Sequence, residues 1–386
     1  MIRHEEERER DLRRSLVATL TGDGTLRDPR WIAAFQAVPR HLFVPRFLLD
    51  RTHTGTYDPV DGNNPAQHRE WLERIYADEP LVTRAEGGFP VSSSSQPSLM
   101  ADMLEALQIT GPERILEIGT GTGYNAALLC QGLANDARVF SVDIDPDLVE
   151  AARRRLGQLG YRPHVVTTNG AKGYPDGAPY DRIIATCSLP RVPVEWITQT
   201  AEGGLILVNL YRELGGGALV LLRAEDGQAS GHFMPYSGGF MPSRTLTRVP
   251  GSELLAAHRS HYEHERCDGV ERPTTISEEA LQDDTFAMVA ALRVDAQRLG
   301  LLPDDEPEQF WLLGRDGSWA YQTTAKTGGL IAVQGGPVKL WDQLEAAYRD
   351  WTALGRTGRE QYGLTVTREG EHLIWHDHPG GPSWRL

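Results

Sequence analysis

One segment constrains this chain more than any other: Ile115-Leu116-Glu117-Ile118-Gly119-Thr120-Gly121-Thr122-Gly123-Tyr124. A short apolar run, the mark of a buried strand, enters a glycine-rich turn and leaves it as a helix predicted over Tyr124 to Leu133. Glycines 119, 121 and 123 let the backbone approach a ligand closely and set that ligand near a helix N-terminus. The spacing is G-x-G-x-G and lacks the G-x-x-G tail of the dinucleotide fingerprint. Glu117 would repel a pyrophosphate; it could receive an ammonium or hold the loop. Asp143 ends the next apolar run, about 20 residues past the turn, where a carboxylate hydrogen-bonds ribose hydroxyls. The ligand so described carries a ribose and a positive charge and no phosphate. S-adenosyl-L-methionine meets that description, and a nicotinamide dinucleotide does not. The candidate cofactor set is Glu117, Gly119, Thr120, Gly121, Gly123, Asp143 and the following Ile144. Its bland counterpart is a set of tight-turn glycines with an Asp that caps the next helix.

The surroundings extend this unit. A helical run over Leu99 to Leu107 precedes it. Strands are predicted at Arg138 to Val142, Val165 to Thr167, Arg182 to Ala185 and Leu205 to Leu210, with a helix from Asp145-Pro146 to Leu159. Strands alternating with helices at this spacing predict a doubly wound, mostly parallel α/β sheet. Before it, helices are predicted over Glu5 to Leu20 and from Asp28-Pro29, followed by a polar loop from Thr52 to Gln67. After about residue 245 the texture changes to hairpins. Phe310 to Leu313 and Trp319 to Thr323 flank Arg315-Asp316-Gly317, and Leu364 to Thr367 and Leu373 to His376 flank Glu369-Gly370-Glu371. Between them Val338 to Trp351 is an amphipathic helix. The expected division is an N-terminal helical and loop segment (1–79), a cofactor-binding domain (80–244) and a C-terminal α+β domain (245–386). A chain of 386 residues with 40% apolar content can fill these cores.

Charge and cysteine narrow the partners. The net charge of −14 repels phosphate backbones, and no basic stripe offsets it, so nucleic acid is not an expected partner. The charged N-terminus has no apolar targeting core, and nowhere do 18 apolar residues run together. The expectation is a cytoplasmic chain without a membrane partner. Cys130, Cys187 and Cys267 share no metal-type spacing. Cys130 and Cys187 fall in apolar elements and read as inert core thiols. His258, His261, His264 and Cys267 recur every three residues, but steps of three drift around a helix. The row reads as a polar helix surface, and no metal is expected. Six tryptophans between 311 and 384 read mainly as core, with a peptide groove as the other use.

Further segments carry a resemblance. Ala37-Val38-Pro39-Arg40-His41-Leu42-Phe43-Val44-Pro45, Ser93-Ser94-Ser95-Gln96-Pro97, Leu116 to Tyr124, Gly177 to Ile184 and Gly203-Gly204-Leu205-Ile206-Leu207 resemble the protein-L-isoaspartate O-methyltransferase family over residues about 28–215. The resemblance implies a Rossmann-like class I methyltransferase fold and S-adenosyl-L-methionine as methyl donor. It places Ser93 and Ser95 at the family's catalytic-loop Thr and Ser, with Ser94 and Gln96 as substrate contacts. It places Asn169 and Gly170 at the G-D-G motif near the adenine. Here that motif reads Thr168-Asn169-Gly170, and the Thr-Ile pair reads Ser93-Ser94, giving a more polar pocket. The extra C-terminal region is similar to long-form methyltransferases of peptide natural-product maturation, in graspetide and lanthipeptide systems. That similarity implies esterification of an aspartate in a ribosomal precursor peptide, followed by aspartimide closure. The precursor peptide is then a partner, and the peptide macrocyclase a further one. An aspartate is ionised near neutral pH, its free pKa being about 3.9, so the nucleophile needs no base. Two other readings stay open: repair of isoaspartate in damaged proteins, and a non-catalytic scaffold that binds cofactor and peptide.

Overall fold

The computed structural model describes residues 2–52, 55–245, 269–301, 309–325 and 328–386. The chain opens with α1 (Ile2–Gly22), α2 (Pro29–Ala37) and α3 (Arg40–Phe43). Asp28 caps α2 through its side chain, with Pro29 in the first turn, as the Asp-Pro pair predicts. Next come β1 (Arg46–Leu49), β2 (Asp58–Asp61), α4 (His68–Ile75), β3 (Leu81–Glu86) and β4 (Phe89–Ser94). These strands form an antiparallel sheet of order β2-β1-β3-β4. The expectation of helices and loop alone over residues 1–79 is therefore corrected. In β2 only Val60 is buried, so no alternation in sequence announces it.

The predicted parallel unit is present. It comprises α5 (Pro97–Ala106), β5 (Ile115–Ile118), α6 (Tyr124–Leu133), β6 (Val139–Asp143), α7 (Pro146–Gln158), β7 (His164–Thr167), β8 (Tyr180–Leu189), α8 (Val194–Gln199) and β9 (Thr200–Leu210). Strands β7-β6-β5-β8-β9 are all parallel. The chain runs outward from β5 through β6 to β7, then returns to β8 on the other side. That reversal opens a crevice beyond the carboxyl ends of β5 and β8. Burial of β5 on both faces explains why it is apolar at every position but Glu117.

The C-terminal third does not form the separate body expected from residue 245. After β10 (Ala218–Glu225) and β11 (Gln228–His232), strands β12 (Val270–Pro273), β13 (Gln297–Leu301), β14 (Gln309–Leu313), β15 (Trp319–Thr324) and β16 (Leu330–Gly335) form a second antiparallel sheet, of order β12-β16-β15-β14-β13. The last three strands, β17 (Tyr362–Val366), β18 (His372–His376) and β19 (Ser383–Arg385), join the sheet of β5 through β11, β10 and β9 and complete its ten strands. The hairpins at Arg315-Asp316-Gly317 and Glu369-Gly370-Glu371 are both present, but they belong to different sheets. One apolar cluster joins Ile206 and Val220 of the central sheet to Phe286, Trp341 and Leu364. Trp311, Trp319, Trp341, Trp351 and Trp375 are buried, and half-buried Trp384 lies under Arg293. The tryptophans are core, so the aromatic-groove reading does not hold for them. Among the described residues no helix is long and apolar enough to cross a membrane.

Candidate active site

The glycine turn is closed by the carboxylate that the sequence singles out. Gly119, Gly121 and Gly123 have φ of +102°, +50° and +87°, the left-handed region where a side chain is strained. The Gly121 amide donates to Asp143 Oδ2 at 2.9 Å. A Cβ on Gly121 would stand 3.5 Å from the Ser93 carbonyl, so this glycine faces the serine loop. A Cβ on Gly123 would meet Ala152 at 3.0 Å. Gly123 thus packs α6 against α7 and does not line the cavity.

Glu117 is fully buried, accepting from Asn125 Nδ2 at 2.8 Å and Ser141 Oγ at 2.5 Å. Burial pushes its carboxyl up to about 7 against these two hydrogen bonds. Of its two possible uses, holding the loop is the one seen. Thr120 likewise spends its hydroxyl on Ser141, at 2.7 Å. Asn169 uses its side-chain oxygen to cap the turn at Ala171 and does not line the cavity. That oxygen keeps a second lone pair, and the neighbouring Gly170 reaches the cavity. Ile144, 41% exposed, stands beside Asp143 as an apolar surface open to a ligand.

The serine run alternates. Ser92 and Ser94 turn inward, Ser92 onto Thr83 and Ser94 onto Arg40. Ser93 and Ser95 are half-exposed in the cavity, and their hydroxyls have no partner among the described residues. Ser94, expected as a substrate contact, borders the cavity too, with its hydroxyl engaged by Arg40 Nε at 3.2 Å. Ser95 does not cap α5. Gln96 occupies the cap position, and Asp78 accepts from the Ser98 amide at 2.8 Å. Gln96 lines the cavity with its amide held by Asp78 at 3.1 Å.

Arg40, inside the V-P-R motif, is the residue that sequence reasoning quoted without assigning. Its buried guanidinium donates to Ser94 Oγ and to the carbonyls of Ile75, Ala77, Glu79, Ser94 and Ser95. Desolvation pulls its pKa down to about 10. It fastens the serine loop to the turn after α4.

These elements surround a cavity of about 480 Å³ at the carboxyl ends of β5, β6 and β8. Its far wall is Tyr236 to Thr245, which no sequence motif marked, and which brings in Tyr236 and Arg244. Asp102, on α5, also lines it, its carboxyl raised to about 6 by burial. Cys187 packs against the core and borders the cavity as well. Burial raises its pKa to about 12 and keeps it protonated. Cys130 is buried as expected. The row His258, His261, His264 and Cys267 lies outside the described residues.

Comparison with known proteins agrees with this geometry. The family model described as protein-L-isoaspartate(D-aspartate) O-methyltransferase (PCMT) matches residues 11–230, more than half the chain. The chain belongs to this family. A protein-L-isoaspartate O-methyltransferase of Ignicoccus hospitalis is 31% identical over 239 residues, covering 61% of this chain and 97% of that one. One from Methanoculleus marisnigri is 39% identical over 182 residues, covering 47% and 68%. A solved structure of a protein-L-isoaspartate O-methyltransferase, 23% identical, matches with a TM-score of 0.55 over 95% of this chain and all of that one, which shows the shared fold. This PCMT-type chain is an S-adenosyl-L-methionine-dependent protein carboxyl O-methyltransferase. Its residues fit that cofactor: a glycine turn with its strained φ values, a strand-end carboxylate on the cavity and an exposed apolar side chain next to it.

Proposed function

We propose that this methyltransferase esterifies the side-chain carboxylate of an aspartate in a dedicated, ribosomally made precursor peptide, which then closes to an aspartimide. The observation that carries this reading is the origin of the cavity wall. Tyr236 to Thr245 line the same cavity as Ser93 and Ser95, yet they lie beyond residue 230, where the match to the general family ends. Tyr236 and Arg244 in this wall, outside the stretch that the family model describes, support a substrate other than the generic one. The serine run, more polar than a Thr-Ile pair, supports a carboxylate held by hydroxyl donors.

The residue roles follow. Gly119, Gly121, Asp143, Ile144 and Gly170 form the cofactor side, with Asp143 accepting from the ribose hydroxyls and Glu117 bracing the turn. When bound, S-adenosyl-L-methionine supplies an electrophilic methyl group. Ser93 and Ser95 donate to one oxygen of the substrate carboxylate and leave the other free, and Gln96 lies at the cavity margin. The carboxylate is already ionised, so the protein's task is to hold it in line. Esterification removes its charge and installs a methoxide leaving group. The next residue's amide nitrogen then attacks the ester carbonyl, its proton departs and methanol leaves.

The test is mass spectrometry of the enzyme with cofactor and two substrates, an isoaspartyl peptide and a precursor peptide encoded beside its gene. The expected result is one added methyl on the precursor, then a product one water lighter than the starting peptide. Methylation of the isoaspartyl peptide alone would make it a repair enzyme, and no methyl transfer to either would leave a scaffold.

A further inference from the structure

Among the described residues that line the cavity, Arg244 is the one cation. Its guanidinium spans two acids, donating from Nη2 to Asp143 Oδ1 and from Nη1 to Asp145 Oδ2, each at 2.8 Å. These are its two partners among the described residues, which thus engage two of its five N–H donors. The acid it occupies is the one at the end of β6 that faces the glycine turn.

A carboxylate offers about four lone-pair sites. At Asp143, the Gly121 amide takes one on Oδ2, and the Asp145 amide and Arg244 take both on Oδ1. One site is left. A ribose diol donates two hydrogen bonds, one more than the vacancy holds. The two amides belong to the turn and strand end that fix Asp143 in place, so the contact that can yield is Arg244. Asp145 does not need Arg244 to stay paired. Arg84 donates to its Oδ2 at 2.6 Å, and the α7 amides of Asp147 and Leu148 donate to its Oδ1.

We propose that Arg244 is the receptor for the substrate's carboxylate, and that it is freed for this by exchange with the cofactor ribose at Asp143. This rests on the carboxylate-substrate reading above and adds the residue and the order of events. With no ribose present, the guanidinium is spent on Asp143 and the cavity offers an anion only hydroxyl and amide donors. With the ribose on Asp143, the Nη2 and Nε edge turns to the cavity, where its two N–H donors can hold the same carboxylate oxygen as Ser93 and Ser95 and leave the other free for the methyl group. Cofactor therefore binds first, and peptide binding is coupled to it through one side chain.

The experiment uses the full chain with Arg244→Gln and Arg244→Lys. Affinity for S-adenosyl-L-homocysteine is measured by calorimetry, because this product lacks the sulfonium charge and its binding does not depend on turnover. Methyl transfer is measured on whichever carboxylate peptide the parent enzyme modifies, and melting curves check the fold. In R244Q, S-adenosyl-L-homocysteine should bind about three- to tenfold tighter, since the competing contact is gone. The peptide KM should rise about tenfold or more with kcat at saturation changed far less. R244K, a point charge without the fork, should recover part of the KM. A folded R244Q with unchanged KM overturns the receptor role. A raised KM with unchanged S-adenosyl-L-homocysteine affinity overturns the exchange. Failure of the function reading shows separately, as a parent enzyme that leaves the precursor unmethylated.

Discussion

Replacing Arg40 by Met tests whether the serine loop is held by one buried cation. Met keeps the length of the stem and removes every donor. Of the six hydrogen bonds lost, those to Ser94 Oγ, Ile75 O and Ser94 O are fully buried, and those to Ala77, Glu79 and Ser95 O are part-buried. Water can replace the donor for the part-buried carbonyls. It cannot reach the three buried contacts, and each orphaned acceptor costs about 1–3 kcal/mol. Removing the guanidinium also removes its own desolvation, which is large enough to pull its pKa down to about 10. Breaking a buried charge away from its partners leaves a net loss of about 3–5 kcal/mol, a large part of the roughly 5–15 kcal/mol that holds a typical protein folded. Urea denaturation followed by tryptophan fluorescence should give a lower midpoint at an unchanged m-value. Methyl transfer per folded molecule should also fall, because the Ser95 carbonyl loses its anchor. Arg40→Lys, with three donors in place of five, should fall between the two. An unfolding free energy within about 1 kcal/mol of the parent's, with normal turnover, would refute the assignment.

Ser95→Ala should leave the melting temperature unchanged, since the Ser95 hydroxyl neither caps α5 nor bonds another described residue, while kcat/KM falls about tenfold or more for loss of a hydrogen bond to a charged group; a large thermal shift with normal turnover would sink the substrate role. Burial raises the Glu117 carboxyl to about 7 in the fold from its ordinary value of 4.5, so its stabilising contribution is complete below about pH 4.5 and is lost as pH rises through about 7. Urea midpoints of the parent should therefore decline over that window and those of Glu117→Gln should decline less steeply, since Asp102, also raised, titrates in both; identical slopes would discard the idea. Ending the chain at residue 245 removes β17 to β19 from the edge of β11 and strips Phe286, Trp341 and Leu364 from the shared core. The fragment should lack a cooperative melt, and a soluble one with normal cofactor affinity would show that the added strands are dispensable.

What was legible in sequence was local. The strand, glycine turn and helix at Ile115 to Tyr124, the Asp-Pro starts of α2 and α7, and the two hairpins rest on chemistry within a few residues. Dihedral preference and capping act at that range whatever the rest of the chain does. Asp143 was legible for the same reason, since a strand end after a glycine turn is a short-range relation. The parity of the serine run was not. Which of Ser92 to Ser95 keep an unengaged hydroxyl in the cavity depends on the register of β4 against β3, which slips at Arg84, and a shift of one residue would reverse every side chain.

Only the tertiary structure decided how the ends of the chain join the middle. Backbone hydrogen bonds carry no address, so nothing in Tyr362 to Arg385 states that these strands continue the sheet of β5 while β12 to β16 build another. The same holds for the two arginines that shape the site. Arg40 meets Ser95, and Arg244 meets Asp143, across gaps of 55 and 101 positions. Such a cation is set by where folding leaves an unpaired carbonyl or carboxylate, and desolvation makes that pairing obligatory only once the surrounding chain has closed over it.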